Sequence, residues 1–190
     1  MRLKQLMKNS YRIEGEVAVI SLTQGKKTYV LVSDLPLISS HRWCAKSGGR
    51  TFYAYTNIPK SGGGHTSKAM HALLMGGRAD HQDNNGLNNL RSNLRLATSA
   101  QNGWNVRPRL SNRSGFKGVG WCEKDKRWQA QIQKDGRVFY LGYFVAAEDA
   151  ARAYDAAATR LFGEFAWLNF PKAETTSTQP KAQRRLCYGP

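Results

Sequence analysis

Residues 80–105 read DHQDNNGLNNLRSNLRLATSAQNGWN. Asp80 and His81 stand side by side, Asn93 follows His81 by twelve positions, and Asn102 follows Asn93 by nine. Asp80 offers a hard carboxylate and Asn102 a hard amide oxygen. Such ligands suit Mg²⁺ or Mn²⁺, which share their shell with water and phosphate. His81 is the one histidine beside a carboxylate. An imidazole with an unperturbed pKa of about 6.5 can act as a general base near neutrality. The work such a set fits is taking a proton from water that attacks a phosphodiester. A plainer reading stands beside it: asparagines at 84, 85, 88, 89, 93 and 102 also serve as turn and cap residues.

Outward from this run the chain changes texture. Residues 11–59 hold short strand-like stretches, VAVISL, YVLVSDL and RTFYAYTNI, divided by Gly25-Lys26 and Ser47-Gly48-Gly49. That pattern predicts small antiparallel strands and hairpins. Residues 60–66, KSGGGHT, read as a flexible loop, and 68–75 as a short helix. Residues 106–115, VRPRLSNRSG, are basic and aperiodic and read as a linker, with Pro108 favouring extended backbone before it. Three strands follow within 116–144, with Lys134-Asp135-Gly136 as a hairpin turn. Ala147, Ala150, Ala151, Tyr154, Ala158 and Leu161 then repeat at helical spacing, which predicts a helix over 146–162. Glu148 and Asp149 sit at its start, where the helix dipole favours anions, and Gly163 is placed to end it. Residues 172–190 read as a flexible tail.

Composition limits what such a chain does. It has 190 residues, 29 Lys plus Arg and 13 Asp plus Glu, for a net charge of +16 spread along both halves. A field of that sign draws polyanions. Hydrophobic residues make up 41%, enough for small cores and too many for wholesale disorder. No apolar run spans a membrane, and MRLKQLMKNS has no continuous apolar core of a secretory signal. Cys44, Cys122 and Cys187 form no CxxC pair, so packing thiols in a reducing compartment are expected, without zinc.

The run at 80–105 resembles the HNH endonuclease motif, and more narrowly its phage and intron-encoded homing type. The resemblance extends upstream to Leu22-Thr23-Gln24-Gly25, Trp43-Cys44-Ala45-Lys46 and Met70-His71-Ala72-Leu73-Leu74-Met75, covering about residues 16–106. It implies a ββα-metal unit: a strand ending at Asp80-His81, a loop, a strand around 93–96, and a helix carrying Asn102. It further implies that His81 is the general base, that Asp80 and Asn102 bind one divalent metal, and that Asn93 hydrogen-bonds across the loop and orients His81. With Asn102 in the third motif position, the chain is an H-N-N variant. Asp83 adds a carboxylate expected close to the metal. His71, among Ala, Leu and Met, reads as a packing residue, and His41 and His65 receive no role.

Residues 115–170 resemble the plant Apetala-two/ethylene-response-factor DNA-binding domain. The matching residues are Gly115-Phe116-Lys117-Gly118-Val119, Trp128-Gln129-Ala130-Gln131-Ile132, Tyr140-Leu141-Gly142-Tyr143-Phe144, the run 147–155, and Leu168-Asn169-Phe170-Pro171. The resemblance implies a three-stranded antiparallel sheet packed on one helix, with the sheet in the major groove, where strands read base edges. Alternation nominates Lys117, Trp121, Arg127, Gln131, Gln133, Arg137 and Tyr140 as outward residues. Gln reads adenine and Arg reads guanine or holds phosphate. Arg107, Arg109 and Arg113 either track phosphates from the linker or belong to a solvated tether.

The expected architecture is therefore α+β. Residues 1–105 form a β-rich region with the nuclease unit, 106–115 a basic linker, 116–171 the reading domain and 172–190 the tail. The expected function is a Mg²⁺-dependent (or Mn²⁺-dependent) endonuclease that nicks or cuts double-stranded DNA. It is expected to be monomeric, without membrane or small-molecule cofactor, in the cytoplasm of a bacterial or phage-infected cell. The alternatives are a DNA-binding regulator with an inactive nuclease unit, and an RNA-binding or ribosome-associated basic protein.

Overall fold

The computed structural model describes residues 7–171. The N-terminal MRLKQL, the expected tail at 172–190 and Cys187 lie outside the described residues. The chain is a mixed α/β protein of small antiparallel sheets with few helices.

The first sheet is a meander of β1 (Tyr11–Glu14), β2 (Val17–Ser21) and β3 (Lys27–Leu31). A short helix the sequence reading did not separate, α1 (Leu35–Ile38), follows, with proline in its first turn. There the missing N–H leaves no helical bond unmade. The second sheet is β4 (Cys44–Ser47), β5 (Phe52–Pro59) and β6 (His65–Ala69). KSGGGHT is thus a hairpin turn whose last residues enter a strand. Helix α2 (Met70–Leu74) leads to the antiparallel pair β7 (Ala79–His81) and β8 (Leu94–Leu96). Helix α3 (Ser99–Trp104) begins on a reciprocal cap: Gln101 N donates to Thr98 Oγ1, and Thr98 N donates to Gln101 Oε1. Such a box satisfies two amide donors that a bare helix start leaves unpaired.

One core joins these pieces. Ala18, Ile20, Val30, Leu35, Ile38, Trp43, Ala54, Met70, Leu74 and Leu94 are buried together. The β7–β8 pair is therefore pinned through Leu94 to both preceding sheets.

The second core belongs to β9 (Val119–Cys122), β10 (Arg127–Lys134), β11 (Arg137–Phe144) and α4 (Ala147–Phe162), with β10 central. Ala150, Ala151, Tyr154, Ala157, Ala158 and Phe162 are the buried face of α4. Small residues along that stripe let the helix lie close on Val119, Ala130 and Ile132. Gly118, at φ +76, approaches so closely that an added Cβ would stand 2.0 Å from the Tyr154 ring.

The two units touch. Trp104 stacks on Phe162 at 4.5 Å between ring centroids, and Trp167 N donates to Trp104 O at 3.2 Å. No helix among the described residues is long and apolar enough to cross a membrane.

Candidate active site and reading face

The β7–β8 register places Asp80 opposite Arg95 and His81 opposite Leu94. Arg95 donates from Nε (3.1 Å) and Nη2 (2.8 Å) to one oxygen, Asp80 Oδ2. Asn105 Nδ2 adds a third donor at 2.9 Å and also reaches the His81 carbonyl at 3.0 Å. Oδ1 of Asp80 has no hydrogen-bond partner among the described residues.

His81 is buried, and its Nε2 lies 3.2 Å from Asn89 Oδ1. Asn89 is itself fully buried. Its Nδ2 donates to Thr28 Oγ1 at 2.8 Å, and Thr28 Oγ1 donates onward to Leu87 O at 2.7 Å. This chain fixes the amide orientation, because the Thr28 hydroxyl proton is already committed to Leu87. Oδ1 of Asn89 then faces the imidazole and accepts from Nε2–H. The network so assigns the tautomer and leaves the lone pair on Nδ1. Burial lowers the His81 pKa, partly offset by the Asn89 hydrogen bond and by the charges of Asp83 and Asp80.

Asn102 sits on α3, and its Oδ1 is buried without a partner among the described residues. A buried acceptor left unpaired is uncommon and points to an absent ligand or water. Asp80, His81 and Asn102 line one cleft of about 370 Å³, together with Tyr53, Tyr55 and His71. An unpartnered carboxylate oxygen and an orphaned amide oxygen are hard donors, so these residues fit a divalent cation of the Mg²⁺ type.

Three loop and neighbour residues depart from expectation. Asn93 does cross the loop, with Oδ1 accepting from Asp83 N at 3.1 Å. Its Nδ2, however, serves Asp83 Oδ1 and the Asn88 carbonyl, so the side chain on His81 is Asn89 instead. Asp83 turns into the loop, holding Asn85 N, Asn88 Nδ2 and Asn93 Nδ2. The asparagine-rich run is thus a knot tied on one carboxylate. His71 faces the cleft, its ring centroid 4.7 Å from that of His81, edge to face. Its Nδ1 is buried without a partner among the described residues, and burial with the neighbouring His81 lowers its pKa to about 4. Sequence reasoning missed Asn89, Arg95 and Asn105 as site residues. The only signal for Arg95 was its place in the strand paired with Asp80.

On the second unit, the register sorts the nominated residues. Ala130 and Ile132 face α4, so Arg127, Gln129, Gln131 and Gln133 share the open face. Gln131 lies opposite Tyr140, and Gln129 opposite Tyr143, whose hydroxyl accepts from Gln129 Nε2 at 3.3 Å. Arg127, Gln131, Gln133 and Tyr140 therefore lie together, joined by Gln129 and Tyr143. Three nominated residues do not. Trp121 lies opposite Trp128 on the helix side, packed edge to face at 5.1 Å. Arg137 lies opposite Lys134, whose Nζ reaches the α4 carbonyl of Leu161. Lys117 is turned inward: its Nζ donates to Trp104 O, and burial lowers its pKa to about 8. Of the linker arginines, Arg107 stacks on Trp167 at 5.2 Å and donates to Asp83 O, while Arg109 and Arg113 are exposed.

No protein-family model matches the chain. It is 32% identical over 163 residues to an uncharacterized HNH endonuclease of Acanthamoeba polyphaga mimivirus, covering 81% of each protein. It is also 40% identical over 58 residues to Protein 3.8 of an Escherichia phage, covering 30% of this chain and 48% of that protein. A further match, 40% identical over 85 residues, is to an AP2/ERF and B3 domain-containing transcription factor of Arabidopsis thaliana. It covers 44% of this chain and 23% of that protein.

Proposed function

The chain belongs to the HNH endonuclease family, and from that premise we propose that it hydrolyses phosphodiester bonds in duplex DNA at sites chosen by its second unit. The observation that carries this reading is the cleft itself. It joins a tautomer-fixed imidazole, a carboxylate with one oxygen free and an orphaned amide oxygen.

His81 takes a proton at Nδ1 from the attacking water, whose oxygen bonds to phosphorus as one P–O bond to the sugar breaks. Asn89 keeps the ring in place and bonds better to the imidazolium that forms. Asp80 Oδ1 and Asn102 Oδ1 would hold one Mg²⁺ or Mn²⁺, which when bound neutralises charge building on the phosphate. Asn93 acts at one remove, by shaping the loop on which Asn89 sits.

The open face of β9–β11 enters the major groove. Gln129, Gln131 and Gln133 offer bidentate partners to adenine, Arg127 a partner to guanine or phosphate, and Tyr140 and Tyr143 apolar contact. Pairing a cutter with a reader suits a homing or phage-encoded enzyme acting inside a bacterial or infected cell. One chain with one such cleft nicks, and a double cut needs two sites or two visits.

The test uses supercoiled plasmid carrying a random-sequence library, incubated with Mg²⁺ or with EDTA, beside His81→Ala. Expected is conversion to open circle with Mg²⁺ only, absent in the variant, with DNA affinity unchanged. Cleavage that survives His81→Ala would refute the assigned base. Binding with no cutting at all, on bound sequences recovered and retested singly, favours a regulator.

A further inference from the structure

We propose that the second unit completes the nuclease centre: its turn at Gly163–Phe165 holds Arg95 as a brace on Asp80, so docking of the reading unit sets how tightly Asp80 holds its metal. This rests on the metal reading above and extends it to residues on the other unit.

Arg95 is a two-sided residue. One side of its guanidinium grips Asp80 Oδ2 through Nε and Nη2. The other is held by the second unit: Nη1 donates to the Glu164 carbonyl, and Cζ lies 4.1 Å above the Phe165 ring. The ion pair is nearly closed to water, with side chains 11% and 12% exposed. The turn that holds Arg95 is itself fixed to the first unit, since Phe162 stacks on Trp104 and Trp167 N bonds to Trp104 O. Docking and bracing therefore use adjoining contacts.

Two effects of Arg95 on a cation oppose each other. Its positive charge repels the ion. Its grip on Oδ2 fixes the carboxylate rotamer and leaves Oδ1 presented to the cleft. Losing an outer partner of a metal ligand typically weakens metal binding by roughly 10- to 100-fold, so orientation outweighs repulsion. Lysine in place of arginine keeps the charge but cannot span Asp80, Glu164 O and the Phe165 face at once. Arg95 and Phe165 are positioning residues: neither is placed to touch the substrate.

The test is Mn²⁺ binding by the full chain without DNA, read from the paramagnetic resonance signal of free Mn²⁺. Wild type is compared with Asp80→Asn, Arg95→Lys and Phe165→Ala. DNA affinity in EDTA and circular dichroism run alongside. Phe165 is only half-buried and α4 keeps its own core, so Phe165→Ala retains the fold. Expected for Phe165→Ala is a Mn²⁺ dissociation constant raised roughly 3- to 10-fold, and more for Arg95→Lys, with DNA affinity within about twofold. Mn²⁺ binding in both variants as tight as wild type, or tighter, while Asp80→Asn abolishes it, overturns the brace and leaves the metal reading intact. Binding that Asp80→Asn does not weaken overturns the metal reading and the brace with it.

Discussion

Two imidazoles share the cleft edge to face, and neither takes a proton readily. His71 is the stronger case, its pKa lowered to about 4 by burial first and by His81 second. In the unfolded chain the same side chain titrates near 6.5. Between those values the unfolded state binds more protons than the folded one, so stability falls as pH drops from about 6.5 towards 4. Above 6.5 this term is absent. The thermal midpoint, measured in EDTA, is expected to fall across that window, and His71→Phe to flatten the fall. An unchanged profile in the variant would show that the acid sensitivity lies elsewhere. Composition pointed to packing for His71. Its aim at His81 was illegible, since α2 and β7 meet only in the tertiary structure.

Helix α4 was the most legible element, because small buried residues at helical spacing have few alternative uses. The sheet it covers was legible as three strands but not in its faces. Register shifts between Ala130 and Gln131, and Gly142 takes φ +129. Across that irregularity, Tyr140 and Tyr143 reach the same face although three apart; Arg137 and Tyr140, with no irregularity between them, fall on opposite faces by plain alternation. A single extra residue inverts alternation, and the lone Gly142 within the strand is its one local sign. Where sheet and helix press hardest, Gly118→Ala drives a Cβ into the Tyr154 ring and asks alanine to hold φ +76. Overpacking and backbone strain together are expected to cost about 2–4 kcal/mol, read as a lower urea midpoint. A change under about 0.5 kcal/mol would mean that α4 moves aside freely.

At the scale of the whole molecule, the strands and helices follow from local patterns and the contact between Trp104 and Phe162 does not. Trp104 closes the asparagine run and Phe162 closes α4, and no pattern within either stretch links them. The connecting arginines follow the same division. Arg107 is engaged with Trp167 and Asp83, while Arg109 and Arg113 are exposed and make no ion pair among the described residues. Replacing all three by alanine is expected to lower the slope of log affinity against log salt by about 2 rather than 3, since each phosphate no longer neutralised lowers it by roughly one. An unchanged slope would remove this segment from the DNA path.

Arg95 and its support are not made together. Glu164 follows Arg95 by 69 positions, an interval of roughly 3–14 s at the usual pace of synthesis. Throughout it Arg95 can be held on its Asp80 side only, without the Glu164 carbonyl and the Phe165 ring. On the brace proposed above, Asp80 would hold its metal less tightly until the turn at Gly163–Phe165 has emerged.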